Sequence, residues 1–222
     1  MEVTEVTFFC RFPTRPRLQR GKMEFYMATT APEIENFSKR LRYGAHVIDP
    51  HLDDITLAVA YMRLFEEDLL KVVWYQGVPT LKDFLATHTD GRTVLGCFYH
   101  EEDAPPNSAV LCGLGWVGHK SVMHGYSKAE TGMVFFHKNI PDKAKKSREL
   151  FGKLMLKYFF DHNDIDCLFG TTPEPNRLAL KYAQKLGFSL HGPIPDFVTW
   201  QGQPTAAWVS HLSKAEWLER GR

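Results

Sequence analysis

The stretch Asn176-Arg177-Leu178-Ala179-Leu180-Lys181-Tyr182-Ala183-Gln184-Lys185-Leu186-Gly187-Phe188 reads as one helix with both ends marked. Asn176 can accept from the N–H groups that a first helical turn leaves without partners. Leu178, Tyr182, Ala183 and Leu186 recur at spacings of three and four, which predicts that they form the buried stripe. The small Ala179 permits a close neighbour. Gly187 stands at the C′ position, where positive φ costs a glycine nothing, so Phe188 can fold back over the last turn and enter a strand.

The pattern continues on both sides. Upstream, Ile165 to Gly170 reads as a strand. Before it, Met133 to Ile140 is strand-like, and Pro141-Asp142 opens a helix carrying Leu150, Phe151, Leu154, Met155 and Tyr158 on one face. Downstream, Phe188 to His191 and Ala206 to Leu212 supply two more strands. Further upstream, Thr93 to Tyr99 and Ala109 to Val117 flank a Glu-Glu-Asp-Ala-Pro-Pro-Asn loop and read as an antiparallel hairpin. Asp53-Asp54 caps a helix to about Leu70, with Leu57, Tyr61, Leu64 and Phe65 as its buried stripe. Thr80-x-x-Asp83 resembles a capping box. Met23 to Thr29 reads as a first strand, and Ala31-Pro32-Glu33 opens a helix through Ile34, Phe37 and Leu41 that Gly44 stops.

The fold class that follows is α/β (α+β): a mixed, mostly antiparallel central sheet with helices on both faces. Residues 1–22 form an extension. Within it Arg11, Arg15, Arg17, Arg20 and Lys22 make a basic run without an acid, and its prolines exclude a helix. The domain proper is 23–222, with a helical insertion at about 44–80.

Composition narrows the function classes. With 222 residues, 44% hydrophobic and 24% charged, one folded core is expected. A formal charge of +1 gives no global field to draw nucleic acid or an anionic membrane, so neither is an expected partner. No apolar run reaches the ~18 residues a membrane span needs; Arg63, Glu66, Glu67 and Asp68 interrupt the best candidate. Cys10, Cys97, Cys112 and Cys167 contain no C-x-x-C pair, and Glu2 and Glu5 begin the chain where a signal peptide would be basic. A reduced, cytoplasmic setting is expected.

The asparagine, the small residue three positions on and the closing Lys-Leu-Gly-Phe resemble the corresponding segment of GCN5-related N-acetyltransferases, especially the ribosomal-protein N-terminal acetyltransferases. Met133 to Ile140 with the helix after Pro141 is similar to that family's cofactor-binding strand, loop and helix. The resemblance covers about residues 23–212. It implies an acetyl-CoA-dependent N-acetyltransferase in which an amine acceptor attacks the thioester directly within a ternary complex. In the family the strand splays from its neighbour and its backbone bonds pantetheine, while the helix N-terminus holds the diphosphate. By this resemblance Phe136, His137 and Lys138 take the backbone role, Lys143, Lys145, Lys146, Ser147 and Arg148 the phosphate role, and Asn176 joins the cofactor site.

This chain departs from the family at that loop. Asp142, Lys145 and Ser147 stand where the family has Gln or Arg, then Gly, then Gly or Ala, so every one of these positions carries a Cβ. The family's acid is a Tyr four residues before the helix-closing glycine. That position is Ala183, and Tyr182 sits one residue earlier, about 100° around the helix. Tyr182, His137 and Glu101 are the catalytic candidates, with His119, His124 and Glu102 as further bases. The loop, the basic run and the long sequence before the hairpin are also similar to acetyltransferase-like proteins of tailed bacteriophages. That similarity implies an alternative: a catalytically lapsed fold in host cytoplasm or virion, serving an assembly through residues 1–22.

Gly113-Leu114-Gly115-Trp116-Val117-Gly118 spells a dinucleotide fingerprint, but no helical periodicity follows it, and a kinked or bulged strand lining a groove explains the glycines. It misses a P-loop because His119 holds the lysine position. His119 and His124 have no C-x-x-C before them, and H-E-x-x-H is absent, so no metal is expected.

Overall fold

The computed structural model describes residues 41–86, 92–101 and 108–220, all within one compact unit. The expected arm at 1–22, the strand at 23–29 and the helix from Ala31 lie outside the described residues, except at that helix's end. There Leu41–Tyr43 is a strand, β1, turning through Gly44 at φ 55° into β2, His46–Asp49.

The remaining elements are α1 (Asp54–Glu66), α2 (Leu70–Val73), α3 (Leu81–Ala86), β3 (Thr93–Tyr99), β4 (Val110–Met123), β5 (Tyr126–Phe135), α4 (Asp142–Lys146), α5 (Arg148–His162), β6 (Cys167–Pro173), α6 (Arg177–Lys185), β7 (Ser189–Trp200), β8 (Gln203–Ser213) and α7 (Lys214–Arg220). The strands form one sheet in the order β1-β2-β3-β4-β5-β6-β8-β7, antiparallel except for β5 and β6. The segment expected as an insertion supplies β2, α1 and α2, and Ile48, Leu57, Leu64 and Leu70 are buried in the common core.

Neighbouring residues of β4 show how the two faces are filled, since successive side chains point to opposite sides of a strand. A Cβ on Gly115 would lie 2.3 Å from Met155 Sδ, so this face carries α5. Trp116 stacks on Trp74, just after α2, at 5.7 Å, so the other face carries α1–α3. The helix α5 also covers β2, with Phe151 edge-on to His46 at 4.9 Å.

Local signals formed as read. Asp53 caps α1 by accepting from Thr56 N–H at 2.7 Å, and Thr80 and Asp83 bond reciprocally ahead of α3. Asn176 caps α6, accepting from Ala179 N–H at 3.2 Å. Gly187 has φ 94°, its N–H bonds to Gln184 O, and Phe188 N–H bonds to Ala183 O, which closes a Schellman motif.

Several limits differ from expectation. β4 continues past Val117 through a bulge between Gly118 and Ser121, where His119 has φ 49°. The glycine run is therefore the bulged strand that the failed fingerprint suggested. β5 begins at Tyr126 and ends at Phe135. The helix after Pro141 breaks at Ser147 into α4 and α5. In α1, Ala60 rather than Phe65 completes the buried stripe; Phe65 is exposed.

Candidate functional site

β5 and β6 pair at only three positions, Lys128 to Glu130 with Cys167 to Phe169. The closed end is tied by Asp166, whose Oδ2 accepts from Ser127 N–H at 2.7 Å and from Ser127 Oγ at 3.0 Å; Asp166 N–H in turn donates to Ser127 O. Beyond Glu130 the strands part, β6 pairing on only with β8. Beside the opening on the α5 face, Phe135 meets Tyr182 edge-on at 5.5 Å, and Tyr182 Oη donates to Arg148 O at 2.7 Å.

Strand geometry fixes what lines the opening. Phe136 N–H donates to Cys112 O at 2.9 Å, so the even-numbered residues near the end of β5 turn their backbone groups to β4. Odd-numbered Met133 and Phe135 therefore turn theirs toward the opening.

Glu130 is the last paired residue before the strands part, on the face shared with Trp116 and Gly132, where a Cβ on Gly132 would strike the Trp116 ring. His119 Nε2, re-aimed by the bulge, lies 3.9 Å from Glu130 Oε2 and 3.0 Å from an Arg92 guanidinium nitrogen. Tyr75 donates to Thr171 O at 3.3 Å, and its ring meets Trp200 at 5.8 Å. Burial, with the Glu130 carboxylate adding to it, pushes the Tyr75 phenol up to about 12. A carboxylate thus sits beside an aromatic wall at the point where the sheet opens.

The residues expected to bind cofactor are arranged differently from the reading above. Phe136 is buried, its ring 4.1 Å beneath the Arg63 guanidinium, and its carbonyl accepts from Arg148 at 2.9 Å. The His137 and Lys138 N–H groups both donate to Glu67, and Lys138 O accepts from Arg63 at 2.7 Å. The backbone groups expected to meet pantetheine thus have partners on Glu67, Arg63 and Arg148, whereas Met133 and Phe135 turn theirs toward the opening. Lys145 pairs with Asp142 at 3.3 Å, Ser147 Oγ donates to Lys143 O, and Arg148 turns back to His137 Nδ1 at 3.1 Å. Lys143 and Lys146 are exposed on α4.

The three catalytic candidates do not converge. Tyr182 is held by Arg148 O, and burial above all pushes its phenol far up. His137 lies seven residues along the chain from Glu130, on the order of 20 Å for extended backbone. Glu101 follows β3, whose Tyr99 pairs with Val110, whereas Glu130 pairs with Gly118 eight residues along β4, again more than about 20 Å. His124 sits in the β4–β5 turn at φ 52°, and Glu102 is outside the described residues. Among the described residues no three His, Cys, Asp or Glu side chains converge as metal ligands would, and no helix is long and apolar enough to cross a membrane.

Glu130 and Tyr75 are not among the candidates read from the sequence. The one available signal is an acid between apolar strand positions in Ala129-Glu130-Thr131-Gly132. Its place at the opening follows only from where β5 leaves β6.

This architecture is that of the GCN5-related acetyltransferases. The spermidine N-acetyltransferase of Vibrio cholerae, solved with CoA and spermine, matches with TM-score 0.61 at 15% identity, over 79% of this chain and 99% of that one. The ribosomal-protein-S5-alanine acetyltransferase of Vibrio fischeri matches with TM-score 0.61 at 10% identity, over 80% of this chain and 98% of that one. A GNAT-family acetyltransferase of Bacillus anthracis matches with TM-score 0.59 at 13% identity, over 79% and 99%. No family model matches the sequence, and no curated protein does.

Proposed function

We propose that the chain is an acetyl-CoA-dependent N-acetyltransferase whose reaction centre lies at the opening between β5 and β6. The observation that carries this is the pairing of β5 and β6 at only three positions, with Glu130 the last of them before the strands part. Met133 and Phe135 offer the donor's pantetheine arm a strand edge, and Lys143 and Lys146 offer side-chain charge to its phosphates. The donor supplies an activated thioester. A backbone N–H at the opening polarises its carbonyl. Glu130 accepts the acceptor's proton, directly or through one water. Tyr182 takes no part in the leaving step, because its hydroxyl is committed to Arg148 O.

One observation favours a second reading, a lapsed fold acting in an assembly: the chain's own side chains occupy the backbone of Phe136 to Lys138. Calorimetric titration with acetyl-CoA separates the two. The enzyme reading expects saturable binding, weakened in Lys143→Glu/Lys146→Glu. It also expects amine-dependent thiol release whose kcat/KM falls by about 10²–10⁴ in Glu130→Gln. No heat at millimolar acetyl-CoA, with assembly lost on removing residues 1–22, would establish the second reading.

A further inference from the structure

The face of the sheet that carries Glu130 runs on across β6, β8 and β7. Register places Glu130 opposite Phe169, Phe169 opposite His211, and His211 opposite Ser189. Residues paired across strands project to the same face, so this row forms one strip of floor. Their neighbours Leu168 and Leu212 point the other way and are buried in the core, whereas Phe169 and His211 are half-buried. Two strand spacings separate the Cα atoms of Glu130 and His211 by about 10 Å. Between them lies the Phe169 ring. Tyr75, on Thr171 O two residues further along β6, and Trp200 beside it close one side.

At the far end two imidazoles are joined. His191 Nε2 lies 2.9 Å from His211 Nδ1, with the rings tilted by 23°. One proton occupies that contact, and either ring can supply it. If His191 donates, its Nδ1 is left with a lone pair and His211 Nε2 carries a proton; if His211 donates, the roles exchange. A neutral pair therefore always turns one N–H and one lone pair outward. Neither outward nitrogen has a hydrogen-bond partner among the described residues. The Glu216 carboxylate, at the same end, is taken by Ser213 N–H and Oγ.

We propose that this strip is the acceptor's subsite, and that the acceptor is a primary amine carrying at its other end an uncharged group that both donates and accepts, a hydroxyl or a carboxamide, which His191 and His211 read. The inference rests on the acetyltransferase reading for placing the amine at Glu130. With a hydrogen bond at either end, the separation suits a spacer of about five methylenes lying over Phe169. A second ammonium offers the pair only donors, a carboxylate only acceptors and a methyl group neither, so each leaves an outward nitrogen unmatched. His191 and His211 thus determine specificity and take no part in the chemistry, which lies two strands away.

The test uses straight-chain primary amines about five methylenes long, ending in hydroxyl, carboxamide, ammonium, carboxylate or methyl, with wild type, His191→Phe and His191→Phe/His211→Phe. Thiol release from acetyl-CoA gives kcat/KM, calorimetry gives direct binding, and melting temperature checks folding. Wild type should favour the hydroxyl and carboxamide members over the methyl member by at least about tenfold, and that ratio should fall toward one in both variants. A pair that only held β7 to β8 would lower every member together and keep the ratio. Equal rates across the series, a preference for a charged member, or a ratio kept in the variants overturns the proposal and leaves the acetyltransferase reading standing. If no member is acetylated, that reading falls and binding decides: tighter binding of the hydroxyl member than the methyl member, lost in His191→Phe, upholds the subsite, and equal binding overturns it. If neither variant folds, the pair is structural and the proposal falls.

Discussion

Gly152 sits where α5 crosses α6, and a Cβ built there would lie 2.2 Å from Tyr182 Oη and 2.8 Å from Leu186. A glycine inside a helix ordinarily costs about 0.5–1 kcal/mol relative to alanine. Here the close approach reverses that sign: Gly152→Ala overpacks the crossing at a cost of about 1–3 kcal/mol. Urea denaturation should show Gly152→Ala less stable by about 1–2 kcal/mol, the difference between the two effects; a stabilised variant would mean that the crossing can open. The same crossing explains a misread residue. Leu178 belongs to the periodic stripe of α6 yet is 80% exposed, while Leu180 is 6% exposed. Periodicity finds an apolar arc but not its centre, which the neighbour sets. Glu130 carries the same lesson for chemistry, because its residue type was visible and its place at the opening was not.

At the scale of elements, signals closed within one turn were legible. The caps at Asp53, Thr80 and Asn176 and the Gly187 turn need partners only three or four residues away, so composition and spacing suffice. Strand limits were not, since a strand ends where its partner leaves it. β5 ends five residues before its apolar run does because Arg63, Glu67 and Arg148 take over the backbone of the following turn. The β5–β6 junction also has a pH dependence. Ser127 N–H and Oγ hold the Asp166 carboxyl below its ordinary value of 3.8. A folded value below the unfolded one means that the contribution is full above about pH 4 and is lost as the pH falls through the folded value. The wild-type melting temperature should therefore drop more steeply than that of Asp166→Asn on acidification below about pH 4. Parallel curves would show that the ionised pair contributes nothing.

At the scale of the whole molecule, Arg63 adds a polar tie to the apolar core that α1 shares with the sheet. Arg63 donates to Leu111 O on β4 at 2.6 Å and to Lys138 O at 2.7 Å, and lies 3.6 Å from Glu67. Arg63→Met keeps much of the packing but leaves a buried carboxylate without its cation, a change that costs about 3 kcal/mol in comparable pairs. The variant should unfold in a single transition at lower denaturant, because α1 and the sheet share one core. A separate early transition would show that α1 melts by itself.

The sequence alone determined the order of most elements, the caps, the mixed sheet with helices on both faces and the bulged glycine strand. Each of these follows from periodicity or turn chemistry within about ten residues. Tertiary structure decided where the sheet opens, that Glu130 rather than His137, Glu101 or Tyr182 stands there, and that Glu67 fills the turn after β5. Those outcomes depend on contacts across 37 to 71 positions, such as Ser127 with Asp164 and Glu67 with Lys138. Register between distant strands is set by the packing of the whole core, which no local pattern encodes.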